Sequence, residues 1–600
     1  MKMKLKSFCR HCVKSVQLLW TTSPFLFSMR LCIELATSLS PVLNAFLTKL
    51  IIDALSNGTL PYAERAETLF RVLILFVVVQ LINMLLGRVI SLVTANHQDL
   101  INHQIDIQIK QKINELDISC FDNPAAYNEI ENAHRDSGSL AGLSMLMVTI
   151  IKGAFLLVTN CLLMFRYGWW FALLITFFLV PSIFVDRHVA RKKYDWQRSR
   201  TINERKIGYV NNILAGQSYA KDIRVFHSYR YFLSAFQNLW TAWFKEKRKI
   251  DRQRFVYSLL AQAAPFIPIS VILFYIVFQI LGGSMTIGDF TYVNGIVMQF
   301  FAGISMLFSA LNNGYESEMR LTNFDAFMAW KPQIRNNGKR VLDRIRTIEF
   351  RHVSFRYPKT RQLVLQDINF VIEEQEKVAL VGVNGAGKST IIKLLLRLYD
   401  SEDGQILING TDIREYTLES LHGAMGVVFQ DFNQYLLQLD QAVAVSSPLE
   451  PVDEQRIAAA LEKADFAVDK RFAGGMRTYL GKIFDEEGVV LSGGQWQKLA
   501  IAQAYYRQSS AMILNEPNAS LDPEAEYHLF EKLKDLCSDK IALFITHRLS
   551  CVSMADKIIV INHGRCEEIG THEQLMDNNG TYAKLYTYQA EKYIHPAVGV

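Results

Sequence analysis

The chain opens with six long apolar runs, at 25–47, 69–93, 143–165, 169–185, 266–281 and 290–311. A helix crosses the hydrocarbon of a bilayer in about 20 predominantly apolar residues, so the longer runs suffice and the shorter ones draw on their flanks. The run "FIPISVILFYIVFQIL" has no charge on any face, which excludes the polar stripe of a surface helix on a soluble domain. The pattern predicts an all-α membrane domain of six helices over 25–330, entered by a basic amphipathic lead-in over 1–24. Two long polar stretches between runs keep a helical period, as expected where membrane helices continue into the cytosol and turn back.

Beyond "NNGKR" (336–340) the periodicity changes. "TIEFRHVSFRYP" alternates apolar and polar residues like a strand, and "KVALVGV" is an apolar strand running into a glycine-rich turn. Short apolar strands "GVVF", "AMIL", "IALFI" and "KIIVI" follow, separated by helical segments. Strands alternating with helices predict an α/β domain with a largely parallel sheet. The organisation is a membrane domain over 25–330, a linker over 331–340 and an α/β domain over 341–600.

Half of the 600 residues are apolar and the mean hydropathy is positive, +0.10, while the net charge is only +6. So modest a charge leaves no electrostatic footprint for nucleic acid. The segment 187–254 carries 17 Lys and Arg, whereas "SNGTLPYAERAE", "RYG" and "GGSMTIGD" are short and nearly free of them. Basic residues collect on the cytoplasmic side of a membrane, so both termini and the α/β domain are expected in the cytosol of a multi-pass protein of the cytoplasmic membrane. The start, "MKMKLKSFCRHCVKSVQLLW", lacks a small-residue cleavage site and does not read as a signal peptide. Eight cysteines in a chain this long make no disulfide framework. Cys9, His11 and Cys12 form a lone C-x-x-C without a second ligand pair, and chance spacing outweighs zinc there.

Chemistry concentrates in "GVNGAGKST" (382–390), which matches G-x-x-x-x-G-K-[ST] between an apolar strand and the helical "IIKLLLRLY". Gly382, Asn384, Gly385 and Gly387 let backbone amides wrap phosphates at a helix N-terminus, whose dipole favours anions. Lys388 would reach the β- and γ-phosphates of ATP, and Ser389, followed by Thr390, would offer its hydroxyl to Mg2+. "LSGGQWQKLA" (491–500) then lies shortly before "AMILNEPNASLD" (511–522).

At these residues the chain resembles the ATP-binding cassette (ABC) family, and the order and spacing of the motifs agree across 353–576. Tyr357 in "FRYP" matches the adenine-stacking position, Gln430 in "VVFQ" the glutamine loop, Asp522 in "SLD" the D-loop and His547 in "FITH" the switch histidine. The resemblance implies that two such domains close face to face. Each ATP would lie between the phosphate loop of one domain and Ser492, Gly493, Gly494 and Gln495 of the other. Glu516 would polarise the attacking water, while His547 and Gln430 position the γ-phosphate and metal. One residue departs from the family: Asn515 stands where an aspartate holds Mg2+. An amide keeps the oxygen acceptor but loses the charge, and Mg2+ favours carboxylates, so the expectation is weakened metal binding with hydrolysis retained.

One six-span domain followed by one cassette resembles an exporter half-transporter, which works as a dimer, here most simply with itself. "CFDNPAAYNEI" (120–130) and "SYAKDIRVFHS" (218–228) fall where that family has its two coupling helices, expected to dock near Gln430. The first of these, with the surroundings of "LSGGQWQKLA", is similar to bacterial peptide and lanthipeptide exporters, so a peptide or other amphipathic compound is the expected cargo. Residues 1–24 alone precede the first span, so no peptidase domain is expected there and a leader would be removed elsewhere. Two other readings stay open: the low-activity half of a heterodimeric exporter, and an ATP-binding membrane sensor or immunity component that transports nothing. Charges within spans are costly and often functional. Arg30 and Glu34, four residues apart, read as an ion pair or as snorkelling groups, Arg88 as snorkelling, and Lys152 as either a cargo contact or a partner of Glu34.

Overall fold

Long apolar stretches with few helix breakers run as continuous helices in the computed structural model. It describes the chain apart from residues 1, 57–60, 200, 335, 449–450, 517–537, 547–551, 553–554 and 595–600. The chain divides into two units, Met1–Leu116 with Ala125–Trp330, and Asp117–Pro124 with Lys331–Val600.

The helices up to residue 330 are α1 (Lys2–Thr22), α2 (Pro24–Ser56), α3 (Tyr62–Asn114), α4 (Ile118–Asp122), α5 (Pro124–Met164) and α6 (Trp170–Ser199), then α7 (Thr201–Ala215), α8 (Ala220–Val225), α9 (Tyr229–Ala263), α10 (Phe266–Leu281) and α11 (Ile287–Met328). Among the described residues, four segments are long and apolar enough to cross a membrane: Pro24–Ser56, Tyr62–Asn114, Glu129–Met164 and Ile287–Leu311. The fourth and fifth expected spans are shorter as apolar helices, Trp170–Pro181 and Phe266–Leu281. With 53 residues, α3 reaches about 80 Å at 1.5 Å per residue, far beyond a hydrocarbon core of about 30 Å. The excess is the polar helical extension expected from the sequence. A capping box fixes the start of α11: Thr286 accepts from the Asp289 amide while the Asp289 carboxylate accepts from the Thr286 amide.

Lipid is as apolar as a leucine side chain, so helices in a membrane associate by close packing rather than by hydrophobic burial. Gly153 of α5 illustrates this, since a Cβ there would stand 3.0 Å from the Leu307 side chain of α11. Phe171 and Ile175 of α6, Ile272 and Ile276 of α10 and Ile296 and Val297 of α11 form one fully buried cluster. Among the charged residues, the structure selects between the expected partners of Glu34. Glu34 pairs with Lys152 of α5 at 2.6 Å rather than with Arg30, and Arg88 is exposed on α3. His11 meets Asp325 at 2.8 Å.

In the second unit, β1 (Ile348–Phe355), β2 (Leu365–Ile372), β4 (Asp403–Ile408) and β5 (Thr411–Asp412) form an antiparallel sheet in the order β2-β1-β4-β5. The larger sheet combines β3 (Lys377–Val381), β6 (Met425–Val428), β7 (Ala511–Asn515), β8 (Ile541–Ile545), β9 (Lys557–Asn562) and β10 (Arg565–Gly570) in the order β10-β9-β3-β8-β7-β6. From β9 to β6 the pairing is parallel, and β10 closes antiparallel on β9. Every residue of β7 and β8 is buried, the signature of a parallel sheet covered on both faces. The helices of this unit are α12 (Lys388–Leu395), α13 (Leu418–Gly423), α14 (Leu439–Ala444), α15 (Glu454–Lys463), α16 (Gly493–Tyr506), α17 (His572–Asp577) and α18 (Thr581–Ile594).

The short helix α4 belongs to this second unit. The Tyr399 hydroxyl donates to the Asp122 carboxylate at 2.5 Å, Lys393 approaches the same group at 3.5 Å, and the Ile334 amide donates to Asp117 at 3.2 Å. Burial, then the Asp122 carboxylate, pushes the Tyr399 hydroxyl well above its ordinary range. Within the unit, α4 therefore meets Tyr399 and Lys393.

Candidate nucleotide site

Open α/β sheets bind ligands at the carboxyl ends of their strands, and the parallel order brings the sequence motifs to that edge. The phosphate loop follows β3, Gln430 lies just past β6, Asn515 ends β7 with Glu516 after it, and Thr546 follows β8. The loop needs its glycines. Gly382, Gly385 and Gly387 have φ of 155°, 81° and 109°, which side-chain-bearing residues rarely adopt. At Gly387 a Cβ would also lie 2.5 Å from a Leu365 methyl. Asn384, Gly385 and Ser389 are exposed at the mouth, whereas Lys388 and Thr390 are buried. The first amides of α12 have no intrahelical acceptor, so the loop and helix start present donors to an anion.

Lys388 folds back over this loop, donating to the carbonyls of Gly382 at 2.8 Å and Val383 at 3.0 Å. Burial holds its ammonium below the ordinary lysine value, and the Glu516 carboxylate opposes that shift. Glu516 takes a left-handed backbone, φ 50°; such strain in a non-glycine residue persists only where the surroundings enforce it. Its amide donates to the Ile545 carbonyl at 2.8 Å, and the Gln430 amide donates to its carboxylate at 2.8 Å. Asn515 is paired in register with Ile545. Its side chain is 7 % exposed and its Oδ1 has no hydrogen-bond partner.

Ser492 caps α16 in a second capping box: its hydroxyl accepts from the Gln495 amide, and its own amide donates to the Gln495 side chain. Ser492 and Gly493 are exposed, and Gly494 and Gln495 half-buried, so the helix start faces outward. Tyr357 is less open than an adenine platform. Its ring packs edge-on against Phe355 and Tyr399, the Lys393 ammonium sits 5.4 Å from its centroid, and its hydroxyl lies 3.1 Å from Thr390 Oγ1. Lys393 and Tyr399 carried no signal in the sequence, because neither lies in a motif. Asp522 and His547 lie outside the described residues.

A phosphate-binding loop on a parallel sheet, carried by a chain whose other unit is a bundle of apolar membrane helices, defines a membrane-tethered P-loop ATPase. Residues 365–519 match the family model described as ABC transporter, and residues 26–304 the ABC transporter transmembrane region. The chain belongs to the ABC transporters: it is a multi-pass membrane ATPase with one membrane domain and one cassette, an exporter half-transporter that couples ATP hydrolysis to export. It is 27 % identical over 594 residues to the subtilin transport ATP-binding protein SpaT of Bacillus subtilis, covering 97 % of this chain and 94 % of that protein. To the ATP-dependent lipid A-core flippase of Escherichia coli (strain K12) it is 29 % identical over 481 residues, 79 % of this chain and 81 % of the flippase. A bacterial Atm1-family ABC exporter with ATP bound shares the fold, with TM-score 0.78, 21 % identity, and coverage of 96 % of this chain and 100 % of that one.

Proposed function

We propose that two copies of this chain form an ATP-driven pump that exports a peptide or other amphipathic compound across the cytoplasmic membrane, with both termini and the cassette in the cytosol. The observation that carries the ATPase half of this reading is the arrangement of Lys388, Gln430 and Glu516 along one edge of the sheet. The end-to-end similarity to a subtilin transporter supports a peptide cargo. The outward-facing start of α16 at Ser492 supports a second copy, because its donors face away from the unit that carries them.

Incoming ATP competes with the Gly382 and Val383 carbonyls for Lys388, whose ammonium then holds the β- and γ-phosphates. Glu516, kept in place by Gln430, orients a water in line with the γ-phosphorus and accepts its proton. The water oxygen bonds to that phosphorus as its bond to the β,γ-bridging oxygen breaks, and ADP and inorganic phosphate leave. Positioning and charge stabilisation do the catalysis. The donor set fits Mg2+: the Ser389 hydroxyl is exposed at the start of α12, and the buried, unpartnered Asn515 Oδ1 suits a metal-bound water. Gln430 would complete the set, and bound Mg2+ would neutralise charge on the β- and γ-phosphates.

The test is ATP-dependent uptake of a fluorescent amphipathic peptide into inside-out vesicles bearing the chain, with Glu516→Gln as the control. Uptake that needs ATP and disappears in the variant supports the reading; hydrolysis without uptake of peptide or any other amphiphile overturns the transport half. Asn515 favours one second reading, the weaker half of a heterodimer. Hydrolysis by the purified chain alone would exclude it.

A further inference from the structure

Span one carries a cation, Arg30, with no anion in contact among the described residues, only the through-space attraction of the Glu34 carboxylate. Arg30 of α2 is 5 % exposed, and among the described residues no carboxylate stands in ion-pair contact with it. Its Nε has no hydrogen-bond partner, and Nη1 donates to the Met145 sulfur of α5, a weak acceptor. The one acid within a turn, Glu34, is taken by Lys152 at 2.6 Å. Met145 and Lys152 lie seven residues apart, two turns along one face of α5, so that face meets the face of α2 bearing Arg30 and Glu34. This seam thus holds two cations against one carboxylate. His97 of α3, fully buried and within electrostatic reach of Arg30, adds no negative charge: its Nε2 lies 3.3 Å from the Leu19 carbonyl. Counted from residue 25 at 1.5 Å per residue, Arg30 and Glu34 lie about 8 and 14 Å into the span. Snorkelling does not account for Arg30, because a snorkelling guanidinium reaches water and this one is enclosed. Two enclosed cations sharing one carboxylate leave positive charge uncompensated, which is strongly destabilising and points to an anion supplied from outside the unit.

We propose that the α2–α5 seam, with Arg30 as its fork and Lys152 beside Glu34, binds the carboxylate or phosphate of an anionic amphiphile, and that this is the group by which the exported molecule is recognised. The proposal rests on the exporter reading for its biological sense. Arg30 suits the task, since its planar donors match the oxygens of carboxylate and phosphate. Glu34 competes with the ligand for Lys152, so binding moves Lys152 from Glu34 toward the anion.

The experiment places the full chain in phosphatidylcholine nanodiscs and titrates dodecyl phosphate and N-dodecanoylglycine by calorimetry, with dodecylphosphocholine as the zwitterionic control and empty discs subtracted. The anions should bind roughly 10- to 100-fold more tightly than the control, the worth of one charge-assisted hydrogen-bonded pair. Arg30→Gln should abolish that preference, Arg30→Lys keep part of it, and Glu34→Gln strengthen it. A native melting transition of the full chain in the discs, with native helical circular dichroism, certifies that the membrane helices of each variant are folded. An anion preference that survives in folded Arg30→Gln overturns the proposal, as does its absence in the native chain. Phosphatidic acid built into the disc separates the sources: displacement of the probes assigns the anion to a lipid headgroup, no displacement to a free cargo, and either upholds the site. Because binding is read without turnover, anion binding in a chain that never hydrolyses ATP sinks only the exporter reading, and hydrolysis without anion preference sinks only this site.

Discussion

Replacing Asn515 by aspartate exchanges an amide for a carboxylate at a position that is 7 % exposed and whose Oδ1 lacks a protein partner. In the native chain that unpaired acceptor is a standing cost of about 1–3 kcal/mol, which a metal-bound water would recover by donating to it. The aspartate offers the same water a full negative charge. Partners that act on a metal through a bound ligand typically change its affinity about 10- to 100-fold, or about 1.4–2.8 kcal/mol at 1.36 kcal/mol per decade. Asn515→Asp should therefore lower the Mg2+ concentration that half-saturates ATP hydrolysis by that factor. Without metal, the new carboxylate is buried with nothing to offset its desolvation, so the metal-free variant should melt below the native chain and the order should reverse with Mg2+ and ATP. The assay is phosphate release by the full chain in nanodiscs across a Mg2+ titration at saturating ATP, with melting curves alongside. An unchanged half-saturating concentration would remove Asn515 from the metal site and with it this argument.

Glu516→Gln should reduce hydrolysis by about 10²–10⁴, the range for loss of a general base, while ATP binding by filtration stays native; Gln430→Ala, which removes the 2.8 Å donor to Glu516, should lower turnover in the same assay by less. Gly387→Ala forces a Cβ onto φ 109° and to 2.5 Å from Leu365, a strain of about 1–3 kcal/mol, so the dissociation constant for ATP should rise roughly 5- to 150-fold, and native affinity would show that the loop does not need this conformation. Burial pushes the Cys566 thiol from 9.0 up to about 11, which at pH 8 leaves roughly 100-fold less thiolate to react. Its alkylation, followed by peptide mass spectrometry, should be slow at pH 8 and accelerate until about pH 11. The sign for stability follows: the native preference for the neutral thiol is present below pH 9 and is lost as pH rises toward 11.

The two units were legible because each imposes its own period on the sequence. In the first, lipid and neighbouring helices are both apolar, so spans such as α10 read as unbroken apolar runs. In the second, β7 and β8 are buried at every residue, so "AMIL" and "IALFI" read as core strands without alternation. The site was legible for a related reason: a phosphate loop needs glycine φ values that other residues refuse, and that requirement writes itself into residue types at fixed spacing. Pairing across the fold left no such trace. Five residues of α4 have no periodicity to read, and what ties Asp122 to its unit is Tyr399, 277 positions on. Arg30 and Lys152 were both expected partners of Glu34; spacing along one helix could not choose between them, and α5 brings Lys152 to the acid from the neighbouring helix.

Asn515 and Arg30 share one property: each breaks a rule that the rest of its unit obeys. Several other buried polar atoms also lack a partner, so an orphaned atom alone identifies nothing. What separates these two is position and charge. Asn515 closes a strand at the edge where Lys388, Gln430 and Glu516 gather, the edge at which we propose that nucleotide and metal bind. Arg30 carries a full charge at membrane depth, where water cannot compensate it. Buried polar groups that contradict their surroundings persist where a ligand completes them. On that reasoning both positions are tested by supplying what would complete them, metal and nucleotide at Asn515 and an anionic amphiphile at Arg30.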